Sequence, residues 1–244
     1  KGKPIHNFLE IPSEEQVSAI VSYPENKDTK ENRYLVMLTR GAMIKKTNLE
    51  DFGNVRRTGI IAIKLHKGDL LNWVQMSSGS DQVFITTEKG QSIRFKENQI
   101  REMGRSAGGV RAIRLKKDDV VSSMDVIDNS KISAKGGSVS GGKNQNAKLL
   151  VVMANGYGKQ TPLGQFRIQS RGGSGTKAAK VTPKTGPIVA AQLITDEEEI
   201  IAISAKGQII KSKLAGVRVA GRATQGVKIM TLNAGDKLVG VTCL

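Results

Sequence analysis

Cysteine is nearly absent: Cys243 is the one thiol in 244 residues. A single thiol closes no disulfide within the chain and builds no Cys-x-x-Cys metal site, which points to a reducing cytoplasm. Histidine is as scarce, and His6 and His66 are too isolated for a zinc cluster. Aromatic residues make up 4%, too few for a surface that grips single strands by stacking on their bases. No apolar run can span a bilayer; residues 149–154 form one of the longest. Neither an amphipathic helix nor a lipidation signal is visible, which argues against a membrane surface. No secretion signal is visible either, and Lys1 is not a natural start, so the chain reads as a fragment.

Acid is also in deficit. Lys and Arg number 38 against 22 Asp and Glu, a formal net charge of +16. Such an excess repels itself unless a polyanion neutralises it, which makes nucleic acid the leading partner.

What the chain has is one unit written four times. Arg105-Ser106-Ala107-Gly108-Gly109-Val110-Arg111 returns as Arg171-Gly172-Gly173-Ser174-Gly175-Thr176-Lys177 and as Arg222-Ala223-Thr224-Gln225-Gly226-Val227-Lys228. A shorter copy holds Arg56, Arg57 and Gly59. The anchor glycines 59, 109, 175 and 226 are 50, 66 and 51 residues apart. Gly41, Gly90, Gly156 and Gly207 precede them by 18 or 19, and Asp69, Asp119, Thr185 and Asp236 follow by ten. A unit recurring at a fixed period decides the fold.

Within each unit, apolar runs flank a glycine turn, as in Val83-Phe84-Ile85, Gly90, then Ile93-Arg94-Phe95-Lys96. Alternation there puts Ile93 and Phe95 on one face and Arg94 and Lys96 on the other. Such hairpins are expected to have one buried and one cationic face, with a type I′ turn at Asn155-Gly156. A further apolar segment closes each unit, at 70–76, 120–126, 188–194 and 238–243. Four short strands per 50 or so residues is the count for a propeller blade. The expected division is one all-β domain over 1–244: a partial blade at 1–30, then repeats at 31–78, 79–129, 147–195 and 196–244. The Gly/Ser/Lys/Asn-rich segment 130–146 reads as a flexible inter-blade loop.

No catalytic constellation emerges. Gly137-Ser138-Val139-Ser140-Gly141-Gly142-Lys143-Asn144 approaches a phosphate-binding loop but ends in Asn144, where Ser or Thr would hold magnesium. Asp118-Asp119 and Glu197-Glu198-Glu199 fall in turns and read as solvated charge. No metal site and no cofactor are expected in this domain. The basic residues are the informative set. Lys45, Lys46, Arg94, Lys96, Lys159, Lys211 and Lys213 follow the turn glycines. Arg56, Arg57, Arg105, Arg171 and Arg222 precede the anchors; Lys64, Arg111, Arg114, Lys177, Lys180 and Lys228 follow them. Equivalent positions on successive blades lie on one circumference, and cations there suit phosphates rather than base edges. Positions two and five past an anchor point opposite ways on a regular strand, so not every member can join one belt.

The hairpins, the anchors, the turn Asn155-Gly156-Tyr157-Gly158-Lys159 and Gly221-Arg222-Ala223-Thr224-Gln225-Gly226-Val227 resemble the C-terminal domain of the DNA gyrase A subunit. The resemblance runs the whole length and extends, less closely, to topoisomerase IV. It implies a β-pinwheel whose blades exchange strands, as a closed, open or incomplete ring. It also implies a rim that wraps duplex DNA and presents it to the catalytic core. The gyrase B subunit would be a partner, as would the rest of the A polypeptide, and ATP, Mg and the catalytic tyrosine would belong to the remainder of the enzyme. The gyrase-defining box of the family reads Gln, basic, Arg, Gly, Gly, basic, Gly. Gln169-Ser170-Arg171-Gly172-Gly173-Ser174-Gly175 keeps that frame with serines at both flanking positions, and reads as a degenerate blade copy. Alternatives are a topoisomerase IV domain that binds without strong wrapping, or a propeller scaffold for protein or RNA.

Overall fold

The computed structural model describes residues 2, 15, 17–22, 33–53, 58–129 and 147–244. Arg56, Arg57, the expected loop at 130–146 and most of the expected partial blade at 1–30 lie outside the described residues.

Four hairpins carry the fold: β1 (Tyr34–Thr39) with β2 (Met43–Asn48), β4 (Gln82–Thr87) with β5 (Gln91–Lys96), β8 (Lys148–Met153) with β9 (Tyr157–Pro162), and β12 (Glu199–Ser204) with β13 (Ile209–Lys213). Their turns are built alike. The N–H groups of Ala42, Gly90, Gly156 and Gly207 each donate to the carbonyl three residues back, at 3.0 Å. All four residues take positive φ, from 66° at Ala42 to 88° at Gly90. That is a type I turn closed by one left-handed residue, not the expected type I′ turn, which needs two. The equivalent of Gly90 is therefore Ala42, not Gly41, one place from where the glycine alone puts it.

The acids ten past the anchors brace these turns. Asp69, Asp119 and Asp236 each accept from a turn N–H, of Gly41, Lys89 and Lys206, at 2.8, 3.0 and 3.1 Å. Asp119 is thus buried in a brace rather than solvated as expected. In the third repeat the roles reverse: the Asn155 amide donates from the turn to the carbonyls of Pro183 and Lys184.

A third long strand lines the inner side of each hairpin: β3 (Leu71–Ser77), β7 (Val121–Ile127), β11 (Ile188–Ile194) and β15 (Leu238–Cys243). These strands pack against one another along the axis. The outer side takes a two-residue strand donated by the next repeat: β6 (Val110–Arg111) on β2, β10 (Thr176–Lys177) on β5, and β14 (Val227–Lys228) on β9. The sheet of β13, β12 and β15 has three strands among the described residues. The result is an all-β pinwheel with strand exchange between neighbouring blades.

The exchange explains the anchor glycines. Gly109, Gly175 and Gly226 have φ of 85°, 71° and 77°, and each abuts the hairpin backbone of the preceding blade. A Cβ on Gly109 would sit 2.5 Å from the Ile44 carbonyl oxygen. Gly109→Ala should therefore cost on the order of 2–4 kcal/mol, from forbidden φ and clash together. Urea unfolding of the variant checks this.

Among the described residues the core is three slabs between four blades. Val36, Leu38 and Ile44 of the first sheet pack on Val83, Ile85, Ile93 and Phe95 of the second. Phe84 meets Leu149, Val151 and Phe166, with Phe84 and Phe166 edge to face at 5.0 Å. Leu150 and Val152 meet Ile200 and Ala202. Inner hairpins are consequently buried on both faces, and β4 is buried along its whole length. The expected cationic face is covered by the next blade, except on β13, which is mostly exposed.

Candidate nucleic-acid interface

Because the long third strands meet at the axis, the donated strands β6, β10 and β14 are the outermost backbone of their sheets. Each ends in a cation, Arg111, Lys177 and Lys228, and all three are exposed. Arg114 and Lys180, five past their anchors, are exposed, as are Lys64, Lys96 and Lys213. Lys211 is exposed but held by Glu199 at 2.6 Å.

Four expected contacts are not on this rim. Lys45 is fully buried, its ammonium donating to the carbonyls of Ala62 and Arg105 at 2.6 and 2.5 Å. Lys159 is fully buried and donates to the carbonyls of Gly221 and Arg222 at 2.7 and 2.6 Å. Burial, then the nearby Arg222 charge, lowers the Lys159 pKa to about 8. Lys46 lies beneath the surface, 3.3 Å from Glu97 and over the Tyr34 ring. Arg94 is buried, bonding the Gln82 amide oxygen at 2.7 Å and the carbonyls of Leu163 and Phe166 at 3.2 Å. Their charged ends are turned inward and bonded within the protein, so these four side chains offer little to the rim.

The reason is the shared register. Ile44, Ser92 and Gly158 pair with Val110, Thr176 and Val227. In that frame Lys45 matches Lys159, while Lys46 matches Arg94, Gln160 and Lys211. Three of the second set reach across to the short 3-10 turn of the next blade: Lys46 to Glu97, Arg94 to Leu163, and the Gln160 amide to the Leu214 carbonyl at 2.6 Å, whereas Lys211 stays with Glu199 in its own hairpin. These cations and amides clamp blades together.

Arg105, Arg171 and Arg222 are half-buried. Arg171 donates from Nε to the Gln99 carbonyl at 3.0 Å and from a terminal nitrogen to the Arg111 carbonyl, while its backbone N–H meets the Gln99 amide oxygen at 2.7 Å. Arg222 repeats the pattern one blade on, towards Gln165 and the Lys177 carbonyl, with its guanidinium over Phe166. Both arginines thereby fix the loops that carry rim cations. The degenerate box shares in this docking: Gln169 N–H bonds the Arg94 carbonyl, Gly172 N–H bonds the Ala112 carbonyl, and the Gly173 carbonyl accepts from Arg114. Ser170 and Ser174 are exposed, and Gly175 is the left-handed anchor.

Sequence reasoning missed a further set. Arg101, Arg167 and Arg218 each follow the buried residue that closes a 3-10 turn, Ile100, Phe166 and Val217, and all three are exposed. They precede Arg105, Arg171 and Arg222 by four residues. Their spacings of 66 and 51 match the anchors. That Arg-x-x-x-Arg repeat was the available signal.

No His, Cys, Asp or Glu cluster that could hold a metal occurs among the described residues. No helix among them is long and apolar enough to cross a membrane.

The family described as "DNA gyrase C-terminal domain, beta-propeller" matches residues 33–78, 81–128, 148–195 and 198–244. The chain belongs to this family. It is 34% identical to the DNA gyrase A protein of Synechocystis sp., over 99% of this chain and 30% of that protein. It is also 34% identical to the DNA gyrase A protein of Staphylococcus epidermidis, over 97% of this chain and 25% of that protein. This gyrase-family chain thus spans under a third of the length of these relatives. Among solved structures, the C-terminal domain of DNA topoisomerase IV superposes with a TM-score of 0.85 at 21% identity, covering all of this chain and 70% of that one. The DNA gyrase A C-terminal domain gives 0.75 at 23%, covering 96% and 76%. At these identities the superpositions speak for the fold.

Proposed function

We propose that this pinwheel is the non-catalytic DNA-wrapping domain of a gyrase A protein. It binds duplex DNA without reading sequence, bends it around the rim, and presents a segment to the catalytic core for negative supercoiling. The carrying observation is the recurrence of exposed cations at equivalent places on and beside the outermost strands: Arg101, Arg111 and Arg114; Arg167, Lys177 and Lys180; Arg218 and Lys228. Lys64, Lys96 and Lys213 extend the set. Lys and Arg so placed attract phosphates and release counterions, which supplies affinity but little sequence preference. Preference among sequences follows from how easily each bends. Arg171 and Arg222 support this surface through the loops they hold.

The domain works in the cytoplasm with the remainder of the A polypeptide and with the gyrase B subunit. Strand cleavage, ATP hydrolysis and magnesium binding belong to those parts. The family relationship and the 34% identity to gyrase A proteins favour this reading over a protein scaffold, as does the charge of the rim. Fluorescence anisotropy with a labelled duplex of random sequence tests it. Expected is tight binding that weakens steeply with salt and that unrelated duplex competes away better than structured RNA does. Equal or better competition by structured RNA would contradict it.

A further inference from the structure

Asp125 lies at the junction of the second and third blades, on the axial strand β7. Its counterpart in the first blade is Gln75 on β3. The Gln75 amide bridges to the next axial strand in both directions: Nε2 donates to the Met124 carbonyl at 3.2 Å, and Oε1 accepts from Val126 N–H at 2.7 Å. Asp125 repeats half of that bridge. Its Oδ2 accepts from Leu193 N–H on β11 at 2.7 Å. The other half needs a donor towards the Ala191 carbonyl, which strand alternation places on the same edge of β11. An ionised carboxylate has no proton to give, whereas a carboxylic acid has one.

We infer that Asp125 is a proton-operated latch between the second and third blades. It is closed when the carboxyl carries a proton donated to Ala191, and slack when the carboxylate is ionised.

The surroundings favour the closed form. The strands packed on β7, namely β3, β4 and β11, carry no titratable side chain. The charge that acts on Asp125 is Glu197, just past β11, and it has the same sign. Glu197 is itself held as an acceptor by the N–H groups of Thr195 and Asp196 at 2.6 and 3.1 Å. Cys243 on β15, also near Glu197, has its thiol pushed up to about 11 by burial and so stays neutral. Burial, with a smaller push from Glu197, raises the Asp125 carboxyl from 3.8 to about 6, outweighing the N–H groups of Leu193 and Val126, which favour the carboxylate. An acid whose folded pKa is raised stabilises the fold fully below its unfolded pKa, and that contribution fades as pH rises through the folded value. The junction therefore tightens near pH 5 and loosens near pH 8. Blade orientation sets the curvature of the rim, but the latch is a property of the junction and stands whatever the rim binds.

Asp125→Asn tests it, because an amide donates at every pH. At pH 8 this variant should melt roughly 4–8 °C above the parent, and at pH 5 the gap should shrink to about half, because the parent regains part of its stabilisation as the folded carboxyl takes up its proton. Asp125→Gln, which copies Gln75, carries the same expectation if the shorter amide falls short. Amide exchange at Leu193 should slow more in the variant at pH 8 than at pH 5, after correction for intrinsic rates. An equal gap at both pH values, or failure of both variants to raise the pH 8 melting point, overturns the latch.

Discussion

Removing five rim cations together, as Arg167→Ala, Lys177→Ala, Lys180→Ala, Arg218→Ala and Lys228→Ala, should weaken duplex binding by a factor on the order of 1,000 near physiological salt. These residues are exposed, and among the described residues no hydrogen bond ties their side-chain nitrogens to a buried acceptor. Truncation should leave the melting temperature within about 2 °C of the parent. The mechanism makes a second demand. Each lost phosphate contact removes about 0.9 from the slope of log affinity against log salt, so five contacts should flatten it by about 4 to 5. A scattered solvated surface predicts a small affinity loss and an unchanged slope. Anisotropy titrations at four or five salt concentrations separate the outcomes.

The second large effect is on stability. Lys159→Met keeps the volume but deletes the ammonium that ties the carbonyls of Gly221 and Arg222 to β9. Two acceptors are then left facing a methyl group, at a cost of roughly 2–4 kcal/mol. For a chain of this size that lowers the melting temperature by roughly 5–12 °C. Gly221 and Arg222 lead into β14, so the donated strand should fray first. Lys228→Ala, at the exposed end of that same strand, should do the reverse: no change in melting, a measurable loss of DNA affinity. Calorimetry of the two variants makes the comparison, and a thermally silent Lys159→Met would refute the tether.

These contrasts show what was legible beforehand. Periodicity revealed the hairpins, because β-branched runs around a fixed turn leave a plain trace. The acids ten past the anchors were visible as landmarks, but not as braces, since a brace needs the turn N–H in space. The cations were the hard part. Alternation in β5 correctly separates Ile93 and Phe95 from Arg94 and Lys96, yet it does not say that a neighbouring blade covers Arg94. Burial on both faces hides the difference between a solvated strand face and an inter-blade clamp. The register was also one residue off in the first hairpin, where Ala42 takes the left-handed place that glycine holds elsewhere. Counting from Gly41 shifts the frame by one, and the match of Lys45 with Lys159, and of Lys46 with Arg94, shows only in the strand pairing. The arginines at 101, 167 and 218 sit in connectors, where strand alternation carries no signal.

The most direct test of the wrapping rim is topological. The protein is bound to nicked circular DNA at low salt, the nick is ligated, and the linking number is read after the protein is removed. A shift in linking number that grows with protein concentration and disappears in the five-cation variant is the expected result. Saturating binding with no shift would mean that the rim holds DNA without wrapping it.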